Sequence, residues 1–249
     1  LAAIYCYFTK KNWVLIGLLI SLAGMTRVTY FGSVVFFLIE IFLKEKKIFK
    51  KILLLFLPII LVLIILSAYN FRRFGSVFET GYQYNTTLNL YPLDSNLKRG
   101  VFSLQHLPTN LFILLIRSPQ SVRVLDGGFN LIFPFLKANG WGMAIWFTSP
   151  LFLYLINLKK SEYTYSALIS TSVIILPSLL YFGIGFSQYG YRYQLDFLPY
   201  LYIMLLPTFQ KGLPPLAKVI IVIGIMFNCF YMLSVWDKYP LFELFGFKQ

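Results

Sequence analysis

The sequence predicts an all-α fold, a polytopic transmembrane helix bundle with a long extracytoplasmic loop that contains a short interfacial helix. The first observation is composition: 58% of the 249 residues are hydrophobic and only 12% are charged, whereas a soluble domain carries about 25% charged residues. The second is a series of apolar runs that approach the roughly 20 residues needed to cross a bilayer. The third is that basic residues cluster beside those runs, as membrane anchoring and orientation require.

Charge and cysteine content exclude several other classes. The formal net charge is +13, but the basic residues flank apolar runs and no nucleic-acid module is recognisable, so we expect no nucleic-acid partner. Cys6 and Cys229 each lie in an apolar segment without metal-ligand spacing and are expected to be buried thiols. His106 is the one histidine, which argues against a zinc site. Membrane lipids are the expected surroundings.

The positive-inside rule places the basic pair Lys10-Lys11 and the run KEKKIFKK at 44–51 in the cytoplasm. Two spans must therefore separate them, forming a helical hairpin of about 24 Å per helix, short enough that flanking lysines must snorkel. Continued alternation predicts one multi-pass domain over 1–249, in the plasma (inner) membrane, with an outer loop at 70–139. The predicted spans are 12–27, 28–43, 52–69, 140–157, 164–184, 194–209 and 217–235.

Residues 70–139 are too long for a plain connection and too polar to cross the membrane. Within them LPTNLFILLIRSPQ predicts about nine residues of apolar helix, capped by Thr109 or Asn110 and ended by a proline. Such a helix is too short to span, so we expect it in the interface. The stretch NFRRFGSVFETGYQYN carries Arg72 and Arg73 among aromatic residues. This surface suits an amphiphilic lipid with a phosphate, and a scaffold loop that covers the bundle is the alternative.

Arg27 is the central question of the hairpin, because it interrupts an otherwise uncharged run over 12–39. An arginine at the bilayer centre costs at least a few kcal/mol, and the hairpin avoids this cost by placing Arg27 at the outer tip. One interpretation is a snorkelling residue. The other is a phosphate-binding residue, which we favour because a short hairpin closes readily with uncharged residues.

Arginine and lysine are distributed differently in the predicted topology. Eleven of the 15 lysines fall on the cytoplasmic side, whereas all seven arginines fall at or beyond the outer surface. Arginine binds phosphate and carboxylate in a bidentate manner, so the outer arginines could serve phosphate binding. The alternative is that their distribution reflects chance and the folding of the outer loop.

Two further acidic residues have basic partners four positions away. Asp196 follows Arg192, so the two share a face at the outer start of a helix. They form either a plain ion pair or an arrangement in which Asp196 orients Arg192 towards a substrate phosphate. Glu40 precedes Lys44 at the cytoplasmic end and is expected to form a plain ion pair without a functional role.

Four stretches in order resemble GT-C-type membrane glycosyltransferases, such as protein O-mannosyltransferases and lipid A aminoarabinose transferases. GLLISLAGMTRVTYFGSVVFFL resembles their hairpin with a basic residue at the turn, and NFRRFGSVFETGY resembles the start of their large outer loop. GWGMAIWFTSPLFL is similar to their glycine-rich helix start, and YRYQLDFLPYLYIML is similar to their late Arg-Tyr helix. The resemblance covers roughly 12–209.

The resemblance implies a cell-envelope transferase that moves a sugar from a polyprenyl-phosphate carrier to a lipid, glycan or protein acceptor on the extracytoplasmic face. An acidic side chain activates the acceptor hydroxyl, and basic residues, sometimes with a divalent metal, stabilise the departing phosphate. This agrees with outward arginines, because preorganised cations best meet charge that develops on a leaving group. The arginines predicted to contact the lipid phosphate are Arg27, Arg192, Arg72 and Arg73, with Asp196 as the orienting carboxylate.

The chain departs from this family at the catalytic carboxylate, which the family carries in its first outer loop, upstream of the matched stretches. Glu79, Asp94 and Asp126 are outer acids, but none occupies that position, and we assign the catalytic base to none of them. The chain is therefore expected to be the C-terminal part of such an enzyme. A transporter or lipid flippase, or a non-catalytic scaffold subunit, is the alternative.

Overall fold

The computed structural model describes residues 1–79, 81, 93–123, 131–185 and 188–235, and these residues are mostly helical, as predicted. Two strands, β1 (Gln120–Arg123) and β2 (Leu131–Lys137), also form. Short 3-10 segments lie at Val28–Ser33, Leu104–His106, Pro150–Asn157, Arg192–Asp196 and Leu206–Phe209. The α-helices of the described residues are α1 (Ala2–Thr9), α2 (Trp13–Thr26), α3 (Val34–Lys44), α4 (Ile48–Phe74), α5 (Leu93–Leu97), α6 (Leu107–Leu115), α7 (Ile145–Thr148), α8 (Thr164–Leu180), α9 (Leu198–Leu205) and α10 (Pro215–Val235).

Two helices of the described part, α4 and α10, are long and apolar enough to cross a membrane. Within their most apolar 18-residue windows, 22% and 17% of the residues are buried. A core helix of a soluble protein is apolar because it is enclosed by other elements, whereas these two helices leave large apolar side chains exposed. The helices at Trp13–Thr26, Thr164–Leu180 and Leu198–Phe209 are apolar but shorter.

The chain divides into two compact units, and the first comprises Leu1–Val101, Lys160–Ser178 and Asp196–Met204. In this unit α2 packs along α4, because Gly17 lets the Leu55 carbonyl and the Pro58 ring approach its backbone. The Asn12 side chain caps α2 by accepting from the Leu15 amide at 3.1 Å. Gly75, at φ 73°, ends α4 in the left-handed conformation that glycine adopts without strain.

The second unit comprises Phe102–Lys159, Leu179–Leu195 and Leu205–Gln249. Here α10 packs against α7 and the 3-10 segment that follows it. The Asn228 amide donates to the Thr148 carbonyl at 2.7 Å and to the Gly224 carbonyl at 2.8 Å. The contact is close, since a Cβ on Gly224 would lie 3.1 Å from Pro150. The Asn228 side chain therefore stabilises the packing of α10 against α7.

Several elements differ from the sequence-based expectation. Residues 140–157, predicted as one span, form a single α-turn and then a 3-10 segment, because Pro150 has no amide hydrogen to continue the helix. The 28–43 span likewise begins with a 3-10 segment before α3.

The segment 70–139, predicted as the outer loop, contains the predicted short helix, α6, but the first residues of this helix differ from the prediction. It begins at Leu107 with a proline in its first turn, not at a Thr109 or Asn110 cap. Asn110 lies inside the helix and donates to the carbonyls of Leu179 and Tyr181, both at 2.9 Å. The antiparallel pair β1–β2, in which Gln120 pairs with Lys137, was not predicted.

Candidate functional site

The connection between α2 and α3 builds the candidate site. Arg27 follows the last residue of α2 in an extended conformation and starts the 3-10 segment Val28–Ser33. The turn is compact, because the Phe31 ring packs so closely on Gly24 that a Cβ at this glycine would lie 2.5 Å from the ring carbons. Gly32 packs on α8, since a Cβ there would meet Ile174 at 3.0 Å. The backbone around Arg27 is thus held from both sides within the first unit.

Arg27 forms an ion pair with Asp196, its Nη1 lying 2.9 Å from Oδ1. The second carboxylate oxygen accepts a hydrogen bond from the Thr29 hydroxyl at 2.7 Å, and the Tyr30 hydroxyl also interacts with the carboxylate. The Asp196 side chain is 0% exposed, whereas that of Arg27 is 33% exposed. We call Arg27, Thr29, Tyr30 and Asp196 the Arg27 cluster.

The Arg27 cluster has the chemistry of an oriented cation. A guanidinium carries five N–H donors in a rigid planar fork and keeps its charge. The buried carboxylate contacts one terminal nitrogen of the fork, and one third of the Arg27 side chain is exposed. A charged group in this arrangement can bind an anion without first losing rotational freedom, because Asp196 and the turn already fix its direction.

The residue that Asp196 holds differs from the sequence-based prediction. The prediction paired it with Arg192, four residues away, whereas the ion pair is formed with Arg27, distant in sequence. The exposed Arg192 instead lies against Tyr193, with its guanidinium carbon 5.3 Å from the ring centroid and Nη2 3.5 Å from the hydroxyl. Asp196 therefore pairs with Arg27, whereas its orienting role and a contact of Arg192 with the donor phosphate stay predictions.

Arg72 and Arg73 occupy the last turn of α4, where positive charge complements the negative end of the helix dipole. Arg73 donates to the Tyr69 hydroxyl at 2.9 Å and lies 5.0 Å from the Phe74 ring centroid. Arg72 is exposed. Arg73 is exposed as well, although its guanidinium packs against its own helix, and a contact of either arginine with the donor phosphate stays a prediction.

A buried polar cluster around Glu40 was missed by the sequence analysis, which expected a plain pair with Lys44. Glu40 does pair with Lys44, Nζ to Oε2 at 2.8 Å, but its side chain is 0% exposed. Its carboxylate also accepts from the Tyr7 hydroxyl at 2.8 Å and from the Ser166 hydroxyl at 2.6 Å. The signal in the sequence was a lone acidic residue in an apolar helix, which requires partners inside the protein.

Lys44 extends this cluster towards the surface. Its Nζ lies 3.0 Å from the Glu162 carboxylate and 3.4 Å from the centroid of the Tyr163 ring. The hydrogen bond and charge of Lys44 lower the pKa of the exposed Glu162 carboxyl from its ordinary value. The Glu40 cluster (Tyr7, Glu40, Lys44, Ser166) therefore joins α1, α3 and α8 through charged hydrogen bonds.

In the described part of the chain no group of three or more His, Cys, Asp or Glu side chains comes together as a metal site, and the acids predicted to lie outside are dispersed. Glu79 accepts from the Gly81 amide at 2.6 Å, and Asp94 lies in the first turn of α5. Asp126 lies outside the described residues.

No protein-family model matches this chain, and neither a curated protein nor a solved structure is significantly similar to it. The resemblance to GT-C-type glycosyltransferases therefore remains a prediction from the residues. The Arg27 cluster is therefore defined by the contacts and burial of its own residues.

Proposed function

We propose that this chain forms the membrane-embedded part of a glycosyltransferase that takes a sugar from a polyprenyl-phosphate carrier on the extracytoplasmic face. In this proposal Arg27, oriented by Asp196, binds the carrier phosphate. The observation that carries it is the Arg27–Asp196 ion pair, in which a fully buried carboxylate holds a guanidinium that stays one-third exposed. The acceptor is a lipid, a glycan or a protein.

A membrane location is supported by α4. Its 27 residues form a helix roughly 40 Å long. This length is close to the thickness of a bilayer including its headgroup regions, which is about 40–45 Å. The 20 residues at 52–71 carry no charge, and they are bracketed by Lys50 and Lys51 at one end and by Arg72 and Arg73 at the other. This arrangement suits a span whose flanking charges lie at the two interfaces. A multi-pass arrangement of the shorter apolar helices is part of the proposal.

The proposed chemistry assigns Arg27 to the leaving group. The acceptor hydroxyl attacks the anomeric carbon, its proton passes to a carboxylate base, and the bond from that carbon to the phosphate oxygen breaks. Negative charge then grows on the departing lipid phosphate, where a preorganised guanidinium stabilises it. Asp196 is not assigned as the base, because it is buried in its ion pair, and Glu79, Asp94 and Asp126 do not occupy the position that the resemblance implies for it.

The decisive variant is Arg27→Lys, which keeps the charge but loses the bidentate fork. We expect folding to be retained while affinity for the polyprenyl-phosphate sugar donor falls roughly ten- to hundredfold, since a charge-assisted hydrogen bond contributes about 1.5–3 kcal/mol. Asp196→Asn should weaken binding more mildly, because the amide keeps a partner for Thr29 but loses the charge that orients Arg27. Donor titration and sugar transfer by purified variants measure both effects.

The matched control is Arg99→Lys, an exposed arginine of the same unit. It should bind donor like the parent protein, and all variants are compared at equal thermal stability. Parent-like donor binding and transfer by Arg27→Gln would reject the proposal, because Arg27 would then be only a snorkelling residue at the turn.

A transporter is the second candidate, and Glu40 is the observation that favours it. A fully buried carboxylate in an apolar helix often marks an ion or proton path in membrane proteins. A transporter would move its substrate across proteoliposomes and lose this activity in Glu40→Gln, whereas the transferase would show sugar transfer that depends on Arg27.

A further inference from the structure

We propose that a groove along the C-terminal half of α4 binds one acyl chain of an anionic bilayer phospholipid, with Arg72 holding its phosphate. The inference rests on the membrane location in the proposed function, but not on sugar transfer or on the Arg27 cluster. It gives the exposed Arg72 a partner other than the sugar donor.

The groove is an open, apolar depression of about 480 Å³. Its walls are large side chains, and its floor is formed by the two small residues Ser67 and Ala68. Ile60, Ile64, Ser67 and Phe71 are spaced by four, three and four residues, which places them on one face of α4. Val77, in the chain that follows α4, closes the groove at the C-terminal end of the helix, which we call its upper end. The lining residues are Ile60, Leu63, Ile64, Ser67, Ala68, Phe71 and Val77.

The length of the groove matches one leaflet of a bilayer. From Ile60 to Phe71 the helix rises roughly 16 Å, about half of the roughly 30 Å hydrocarbon core. A single acyl chain of a phospholipid fills that depth, whereas a longer polyprenyl chain would extend past the lower end. Because the groove is open along its side, a lipid can enter it from the surrounding leaflet.

The upper end of the groove carries the charge that a phosphate needs. Arg72 follows Ala68 by one turn, so it lies at the edge of the groove. Its neighbour Arg73 is also exposed, but its guanidinium packs against Tyr69 and Phe74, whereas Arg72 is the arginine one turn away from the lining residue Ala68. A phosphate close to the end of α4 would meet the negative pole of the helix dipole. The positive charge of Arg72 offsets this unfavourable interaction and allows an anion to bind there.

The groove is held open by the backbone that follows the helix. Gly75, in the left-handed conformation, turns the chain back over the last turn of α4, and the Asn70 side-chain amide donates to the Val77 carbonyl at 3.3 Å. This bond fixes Val77 against the upper end of the groove. The site is thus built by a helix face and a fastened return segment.

Native mass spectrometry of the detergent-purified full chain with dioleoyl phosphatidylglycerol tests the proposal. We expect one retained lipid. Arg72→Gln should lower its affinity roughly tenfold by removing a charge-assisted contact, and Ala68→Phe should do the same by filling the floor. The matched controls are Arg99→Gln, an exposed arginine that does not line the groove, and Leu53→Phe, an exposed position in the N-terminal half of α4 that does not line it either. Both should retain the lipid.

Parent-like retention in Arg72→Gln or in Ala68→Phe would overturn the proposal, and so would equal retention of zwitterionic dioleoyl phosphatidylcholine. Displacement of phosphatidylglycerol by polyprenyl phosphate at equal concentration would also overturn it, because the groove would then belong to the sugar donor. Arg27→Lys separates the two proposals. If this variant keeps donor binding while Arg72→Gln loses phosphatidylglycerol, the proposed function fails and the lipid site stands.

Discussion

Glu40 shows how much one buried residue depends on its partners. Its carboxylate is fully buried and accepts from Tyr7, Ser166 and Lys44. We predict that Ser166→Ala lowers the free energy of unfolding by about 1–3 kcal/mol, because a buried carboxylate oxygen loses its donor. Thermal unfolding of the purified protein in detergent measures the change.

Ser172→Ala is the control for this prediction, since Ser172 lies on the same helix, is exposed, and donates only to the Leu168 carbonyl of its own turn at 3.0 Å. It should shift the unfolding temperature little. If both variants unfold at the same temperature as the parent protein, Ser166 does not stabilise the Glu40 carboxylate.

At the scale of elements, the contact between α2 and α4 depends on Gly17. A Cβ at this position would overlap the Leu55 carbonyl oxygen and lie 2.7 Å from Cγ of Pro58. Alanine favours a helix over glycine by about 1 kcal/mol, but forcing two helices apart costs about 1–3 kcal/mol. We therefore predict that Gly17→Val, which adds two further carbons, destabilises the protein in the same unfolding measurement.

Gly140 provides the matched control, because a Cβ there would meet no atom within 4 Å. Gly140→Val should unfold close to the parent temperature. An unchanged or raised unfolding temperature for Gly17→Val would mean that α2 and α4 separate without loss, and that their close approach does not stabilise the first unit.

At the scale of the whole molecule, the proposed orientation can be tested across α4. Lys46 and Arg99 are exposed residues on either side of this helix in the chain, and the positive-inside rule places Lys46 in the cytoplasm. In a Cys229→Ser background, we predict that Arg99→Cys reacts with an impermeant maleimide in intact cells and Lys46→Cys only after permeabilisation. Cys229 was expected to be buried but is exposed, so it is replaced, whereas Cys6 is buried as expected and should not interfere.

Labelling of Lys46→Cys from outside would reject the hairpin and reverse the orientation of Arg27. Labelling of both positions from one side would show that α4 does not cross the membrane. The single variant Cys229→Ser, which keeps Lys46 and Arg99 unchanged, is the control, and it should remain unlabelled in intact cells.

The sequence by itself determined the helical class and the positions of most helices, because apolar runs and their boundaries are local properties. It predicted a span at 12–27 with Arg27 at its tip, and α2 covers Trp13–Thr26 with Arg27 as the residue that follows. It also identified α6 within the long loop, although Asn110 proved to be an interior residue that bonds the Tyr181 carbonyl. The sequence did not predict the β1–β2 pair, because pairing between two strands is not a property of either strand alone.

Only the tertiary structure decided which polar residues meet. Arg27 and Asp196 are far apart in sequence, as are Tyr7, Glu40 and Ser166, yet each set forms one cluster. Sequence spacing favoured the local pair of Arg192 and Asp196, because residues four apart share a helix face. The distant pair forms instead, since a buried carboxylate must be compensated by whichever cation the packing of α2, α8 and α9 brings to it.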